Sequence, residues 1–121
     1  METSDTRNKL KGSEGERYAE RYLQSQGLVL VERNYRSRFG EIDLIMRDGT
    51  VTVFVEVRMR SSQLFGGAAS SITLSKQGKL MRTARQYLSS LNSVPQCRFD
   101  AVLLSGARGE RIEWIKNAFW E

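Results

Sequence analysis

Residues 40–60 read GEIDLIMRDGTVTVFVEVRMR, and the fold follows from the period of this stretch. Ile42, Leu44 and Met46 alternate with Glu41, Asp43 and Ile45, and Val51, Val53, Val55 and Val57 alternate with Thr52, Phe54, Glu56 and Arg58. Alternation of this kind sends successive side chains to opposite faces of a strand, and the Asp48-Gly49 pair between the runs signals a tight turn. A β-hairpin is predicted. With Asp48 and Gly49 as the central turn residues, Asp43 falls opposite Phe54 and Glu41 opposite Glu56. Asp43 and Glu56 are then diagonal neighbours, about 7–8 Å apart at Cα.

Outward from the hairpin, Gly15, Ala19, Tyr22 and Leu23 mark an amphipathic helix over about 14–26, stopped by Gly27. Residues 28–36 follow as a strand rich in Leu and Val. Beyond the hairpin, SSQLFGGAASS (61–71) has the small, Gly-rich composition of a surface loop. Leu80, Ala84, Tyr87, Leu88 and Leu91 then give helical spacing over about 73–91, ended by Asn92 and Pro95. Strands are predicted at 99–104 and 111–115, joined by the turn Gly106-Ala107-Arg108-Gly109. The order α-β-β-β-α-β-β places a long helix where a crossover between parallel strands is needed, so the expected class is α/β, a mixed sheet flanked by helices. Residues 1–12 are expected to form a mobile segment and 13–121 a single domain.

The predicted register crowds Glu41, Asp43 and Glu56 onto one face, with Arg58 emerging beside them. Opposed like charges destabilise a sheet, and a divalent cation is the obvious compensation. Mg²⁺ or Mn²⁺ needs only one or two carboxylates plus open positions for water and a substrate phosphate. Glu16, at the edge of the first helix's buried stripe, adds another carboxylate if that helix packs over this face. The same pattern also fits solvent-facing cross-strand ion pairs, worth under about 1 kcal/mol each. Lys76, Lys79, Arg82 and Arg85 likewise fit an ordinary solvated helix face. Tyr18, Tyr22 and Tyr87 are expected at the core or its boundary.

Composition removes other chemistry. The 121 residues contain no histidine, which excludes His-based zinc sites, Ser-His-Asp and Cys-His catalysis and imidazole acid–base chemistry. The single Cys97 cannot form an internal disulfide and lacks a CxxC partner, which suits a reducing interior. Met1 to Lys11 has no apolar signal-peptide run, and no window approaches the roughly 20 apolar residues of a membrane span, so a cytoplasmic location is expected. A net charge of +5 favours an anionic partner, nucleic acid ahead of a membrane surface.

The pieces GSEGERYAERYL (12–23), GLVLVERNYRSRFGEIDLIMRDGTVTVFVEVRMR (27–60), SKQGKLMRTARQYL (75–88), RFDAVLL (98–104) and IEWIKNAF (112–119) occur in one order and spacing. Together they resemble the YraN-like family of small bacterial proteins. The resemblance implies a restriction-endonuclease-like core, related to the archaeal Holliday junction resolvases, with an α-β-β-β-α-β frame and an acid followed by ExK. Carried over, Asp43 and Glu56 are implied metal ligands, and Glu16 is implied to position the attacking water. Glu41 is the Glu of GEID, while Lys76 and Gln77 match a Lys-Gln pair that supports the site or contacts phosphate. Position 58 departs from the pattern. Where the family carries Lys, this chain has Arg58, which retains charge but never deprotonates and so cannot act as a general base. Arg60 is a second candidate cation.

The expected function is therefore Mg²⁺- or Mn²⁺-dependent endonucleolytic cleavage of DNA, including branched or recombination-type DNA, with a homodimer as one assembly the related resolvases suggest. Two other classes fit the sequence. One is a non-catalytic nucleic-acid-binding protein that keeps the nuclease fold. The other is a protein-interaction module using Phe119-Trp120 or Leu64-Phe65 as apolar anchors.

Overall fold

The hairpin closes on Gly49 and Thr50, one position later than the composition suggests. Asp48 pairs with Val51, and Gly49 takes φ 63°, the positive value that a Gly-X turn requires at its first central position. Each residue of the first hairpin strand therefore meets a partner two places further along the second than expected. A shift of two preserves the face of every side chain.

The computed structural model describes residues 12–59 and 72–119. They form α1 (Gly12–Ser25), β1 (Val29–Ser37), β2 (Gly40–Asp48), β3 (Val51–Met59), α2 (Leu74–Ser89), β4 (Cys97–Ser105) and β5 (Arg111–Ile115). The predicted element order holds. The sheet runs β1-β2-β3-β4-β5, antiparallel throughout except for the parallel β3–β4 pair that α2 bridges. The expectations for residues 1–11, for the loop at 61–71 and for Arg60 and Trp120 lie outside the described residues.

Alternation along β3 divides the core. Val53 and Val55 join Leu44, Met46, Val102 and Leu104 under Ala19 and Leu23 of α1, whereas Phe54 joins Ile45, Phe99 and Ala101 under Leu80 and Ala84 of α2. One helix thus covers each face. Thr73 caps α2, its hydroxyl accepting from Lys76 N at 3.1 Å, a bond that satisfies one of the helix's free N–H groups. On β2, Ile42 and Ile45 both reach the α2 layer while Leu44 reaches the α1 layer. Strict alternation is broken at Asp43.

The fully buried Asp100 of β4 ties down the C-terminal end. It accepts from Arg98 Nε at 3.0 Å, Trp114 Nε1 at 2.9 Å and Asn117 N at 3.0 Å. Asn117 adopts φ 53°, which asparagine tolerates better than most residues. Ala118 N then donates to Phe99 O at 2.8 Å, and the Phe119 ring settles 5.0 Å from that of Phe99. Phe119 is consequently buried, so it is not the exposed anchor that a docking module needs. Among the described residues no helix is long and apolar enough to cross a membrane.

Candidate metal centre

The β1–β2 ladder runs Arg33↔Leu44 then Tyr35↔Ile42, so Asn34 and Asp43 share the step between them. Asn34 stands at φ 50°, and Asp43 turns away from the ladder to accept from Val57 N at 2.8 Å through Oδ2. This local departure from regular pairing explains the broken alternation. It also places Asp43 against β3 near Glu56. Continuing the β2–β3 register one step beyond Leu44↔Val55 sets Asp43 directly across from Glu56. The expected diagonal pair, and the expected opposition of Glu41 and Glu56, are both corrected by the later turn.

Glu56 is only 4% exposed. The solvent-facing ion-pair reading of this hairpin therefore does not describe it. Its Oε2 lies 3.3 Å from Lys76 Nζ and 3.8 Å from Arg58 Nη1, while Oε1 is buried with no hydrogen-bond partner among the described residues. Burial pushes the Glu56 carboxyl above its ordinary range despite the two cations. Asp43 is pushed up to about 8, first by burial and then by the charge of Glu56, with Glu16 and Glu41 adding to the effect and the Val57 N–H opposing it. Burial and mutual repulsion thus both favour the protonated form of the pair.

Glu16 and Glu41 join the cluster through a residue that sequence reasoning missed. Asn34 Nδ2 donates to Glu16 Oε1 at 2.9 Å and to Glu41 Oε2 at 2.8 Å. One amide thereby links α1 to β2. The helix is held in that position one turn later, where Arg33 forms a two-pronged contact with the nearly buried Glu20 at 2.7 and 3.0 Å. The available sequence signal was an asparagine interrupting a β-rich run. Gln77 lies elsewhere: its amide donates to Ile72 O at 3.0 Å and braces the entry to α2.

A divalent cation fits these residues. Asp43 and Glu56 are a buried pair of hard oxygen ligands, and Glu56 Oε1 has no hydrogen-bond partner among the described residues. Among the described residues no three acidic or cysteine side chains already form an all-protein cage. Mg²⁺ does not need one, since it keeps waters and completes its shell with substrate phosphate.

The fold and the centre together define a class: a mixed α/β protein in which two helices and a central hairpin bring four carboxylates and two cations to one end of the sheet. The family model described as Uncharacterised protein family UPF0102 matches residues 15–104. The chain is 68% identical over 111 residues to a UPF0102 protein of Nitrosospira multiformis, covering 92% of this chain and 93% of that one. It is 62% identical over 111 residues to one from Nitrosomonas europaea (92% and 94% covered) and 61% identical over 118 residues to one from Nitrosomonas eutropha (98% of each). The chain belongs to the UPF0102 family, which is the YraN-like family its motifs resemble.

Proposed function

We propose that this protein is a Mg²⁺- or Mn²⁺-dependent DNA endonuclease of restriction-endonuclease-like ancestry, acting in the cytoplasm. The observation that carries the reading is Glu56 Oε1, without a hydrogen-bond partner among the described residues and buried next to Asp43 within reach of two cations. Asp43 and Glu56 would hold the cation. When bound, it supplies Lewis-acid polarisation of a phosphoryl oxygen and makes water a stronger nucleophile at neutral pH.

The chain's own residues do the rest. Lys76 and Arg58, half-exposed at the edge of the centre, bind phosphoryl oxygens and offset the negative charge that builds on them during hydrolysis. Glu16, held by Asn34 through Oε1, orients the attacking water and accepts its proton at Oε2. Glu41 keeps Asn34 in place from the opposite side. Arg58 remains charged throughout, so it serves phosphate and not proton transfer.

Cleavage of labelled duplex, single-stranded, flap and four-way-junction DNA in Mg²⁺ and Mn²⁺ tests this reading, with wild type beside Asp43→Asn and Glu56→Gln. Metal-dependent products that vanish in both variants support it. Binding without cleavage under every condition supports a second reading, a non-catalytic DNA-binding protein, which the arginine at position 58 specifically favours.

A further inference from the structure

The two-residue turn Arg38-Phe39 joins β1 to β2 beside the metal centre, and it is fastened to α2. Ser37 Oγ and the fully buried Thr83 Oγ1 are 3.0 Å apart, Phe39 N donates to Ser37 Oγ at 3.0 Å, and a Cβ added to Gly40 would lie 3.6 Å from Lys79 Cβ. The aromatic side chain of the turn lies beside two cations, one from the turn and one from α2. Arg38 Cζ lies 5.1 Å from the Phe39 ring centroid, and Arg82 Cζ, from α2, lies 5.9 Å from the same ring.

Attraction to an aromatic face restrains both guanidiniums without neutralising either. Arg38, Lys79 and Arg82 are exposed, and none has a carboxylate within ion-pair distance among the described residues. Two like charges gathered on one ring repel each other, and an anion bound between them would relieve that repulsion. Guanidinium forks match the oxygens of phosphate.

We infer that Arg38 and Arg82, held on Phe39 and supported by Lys79, form a phosphate clamp that seats the DNA strand running from the metal centre along α2. The inference rests on the nuclease or DNA-binding reading and adds to it the surface that holds the strand. Its spacing suits a polynucleotide. Lys76, at the centre, and Arg82 are separated by about 9 Å along the helix at about 1.5 Å per residue. That distance corresponds to two or three base-pair steps at about 3.4 Å per strand along a duplex axis. Phe39 is a positioning residue, because it acts through the two arginines.

Fluorescence anisotropy with a labelled 20-nucleotide single strand, across a series of salt concentrations and without divalent metal, tests the clamp. Arg38→Gln/Arg82→Gln is compared with wild type and with the charge-matched control Arg17→Gln/Arg21→Gln, whose positions flank the cleft between α1 and the β4–β5 turn. The expected result is affinity reduced at least about tenfold and a salt slope shallower by about 1.4 in the clamp variant, with the control nearer wild type and all three melting alike. Equal losses in control and clamp variants overturn the proposal, as does an equal loss of binding to a polyglutamate of matched charge. Wild-type binding that the clamp variant retains with the same slope removes the clamp alone and leaves the nuclease reading standing. Wild type that binds no strand at any salt removes both.

Discussion

Lys76 Nζ lies 3.3 Å from Glu56 Oε2, joining the first turn of α2 to the buried acid of β3. The contact is a close ion pair to one oxygen of a carboxylate whose other oxygen has no hydrogen-bond partner among the described residues. Arg58, at 3.8 Å, is the more distant cation. Lys76→Met therefore leaves Glu56 buried with weaker compensation, and its carboxyl retains the proton to still higher pH. The expected cost is about 1–3 kcal/mol, absent near pH 4 and growing as pH rises through the range where the unfolded chain has already released that proton. Thermal denaturation from pH 4 to pH 8 in chelator measures it. A loss independent of pH shows that Lys76 contributes through packing alone.

Asp43 carries the same sign more strongly. Its folded pKa is raised from 3.8 to about 8, so between these values the folded protein keeps a proton that the unfolded chain gives up. Stability is fully present below the lower value and falls as pH rises towards the upper one. Asp43→Asn removes this penalty while its amide oxygen can still accept from Val57. In chelator at pH 8 the variant is expected to be the more stable protein by several kcal/mol, with the shift of roughly four pK units setting a ceiling of about 5–6 kcal/mol at about 1.36 kcal/mol each. The two converge near pH 4. Saturating Mg²⁺ or Mn²⁺ narrows the gap at pH 8, because a ligand that binds only the folded wild type raises its stability. Melting curves with and without metal decide the point, and a less stable Asp43→Asn protein in chelator contradicts it.

The strands and helices were legible because their signals are local. Val51, Val53, Val55 and Val57 announce β3 by period alone, and Leu80, Ala84, Tyr87 and Leu88 do the same for α2. The register was less legible, since a choice between Asp48-Gly49 and Gly49-Thr50 depends on which position takes positive φ. That choice decides whether Asp43 meets Glu56 diagonally or directly. Asn34 was invisible as a site residue because its role is set by contacts to Glu16 and Glu41, which come from other elements. Lys76 could be assigned by motif resemblance, but its distance to Glu56 required the crossover helix to be placed.

RFD and NAF, two of the motifs that carry the family resemblance, serve architecture. Arg98, Asp100 and Asn117 form one hydrogen-bonded clasp, and Phe99 stacks against Phe119. Asp100→Ala strands the guanidinium of Arg98 beside Asp48 alone at 3.1 Å and leaves Trp114 Nε1 and Asn117 N without their acceptor. Removing one partner of a buried charge pair costs about 3–5 kcal/mol. Chemical denaturation is expected to show a loss of that size at pH 7. A loss below about 1 kcal/mol signals that water replaces the carboxylate and that the clasp is not a structural determinant.

Position 58 separates chemistry from binding. Arg58 reaches Glu56 Oε2 only at 3.8 Å, and its planar, permanently charged head spreads over more space than an ammonium. Lysine places a compact charge on a flexible stem and exchanges protons more readily when buried. If the centre hydrolyses DNA with Arg58 as a phosphate ligand, Arg58→Lys raises kcat by about tenfold or more, part of the roughly 10²–10⁴-fold that a positioned proton-transfer group typically contributes. KM should change little, because Lys76 and the positive charge at 58 both remain. Single-turnover cleavage of the preferred substrate, measured from pH 6 to pH 9, is the appropriate assay. A new basic limb in the pH profile of Arg58→Lys identifies proton transfer. A uniform decrease in rate, with the profile unchanged, shows instead that the guanidinium fork is the group the substrate phosphate requires.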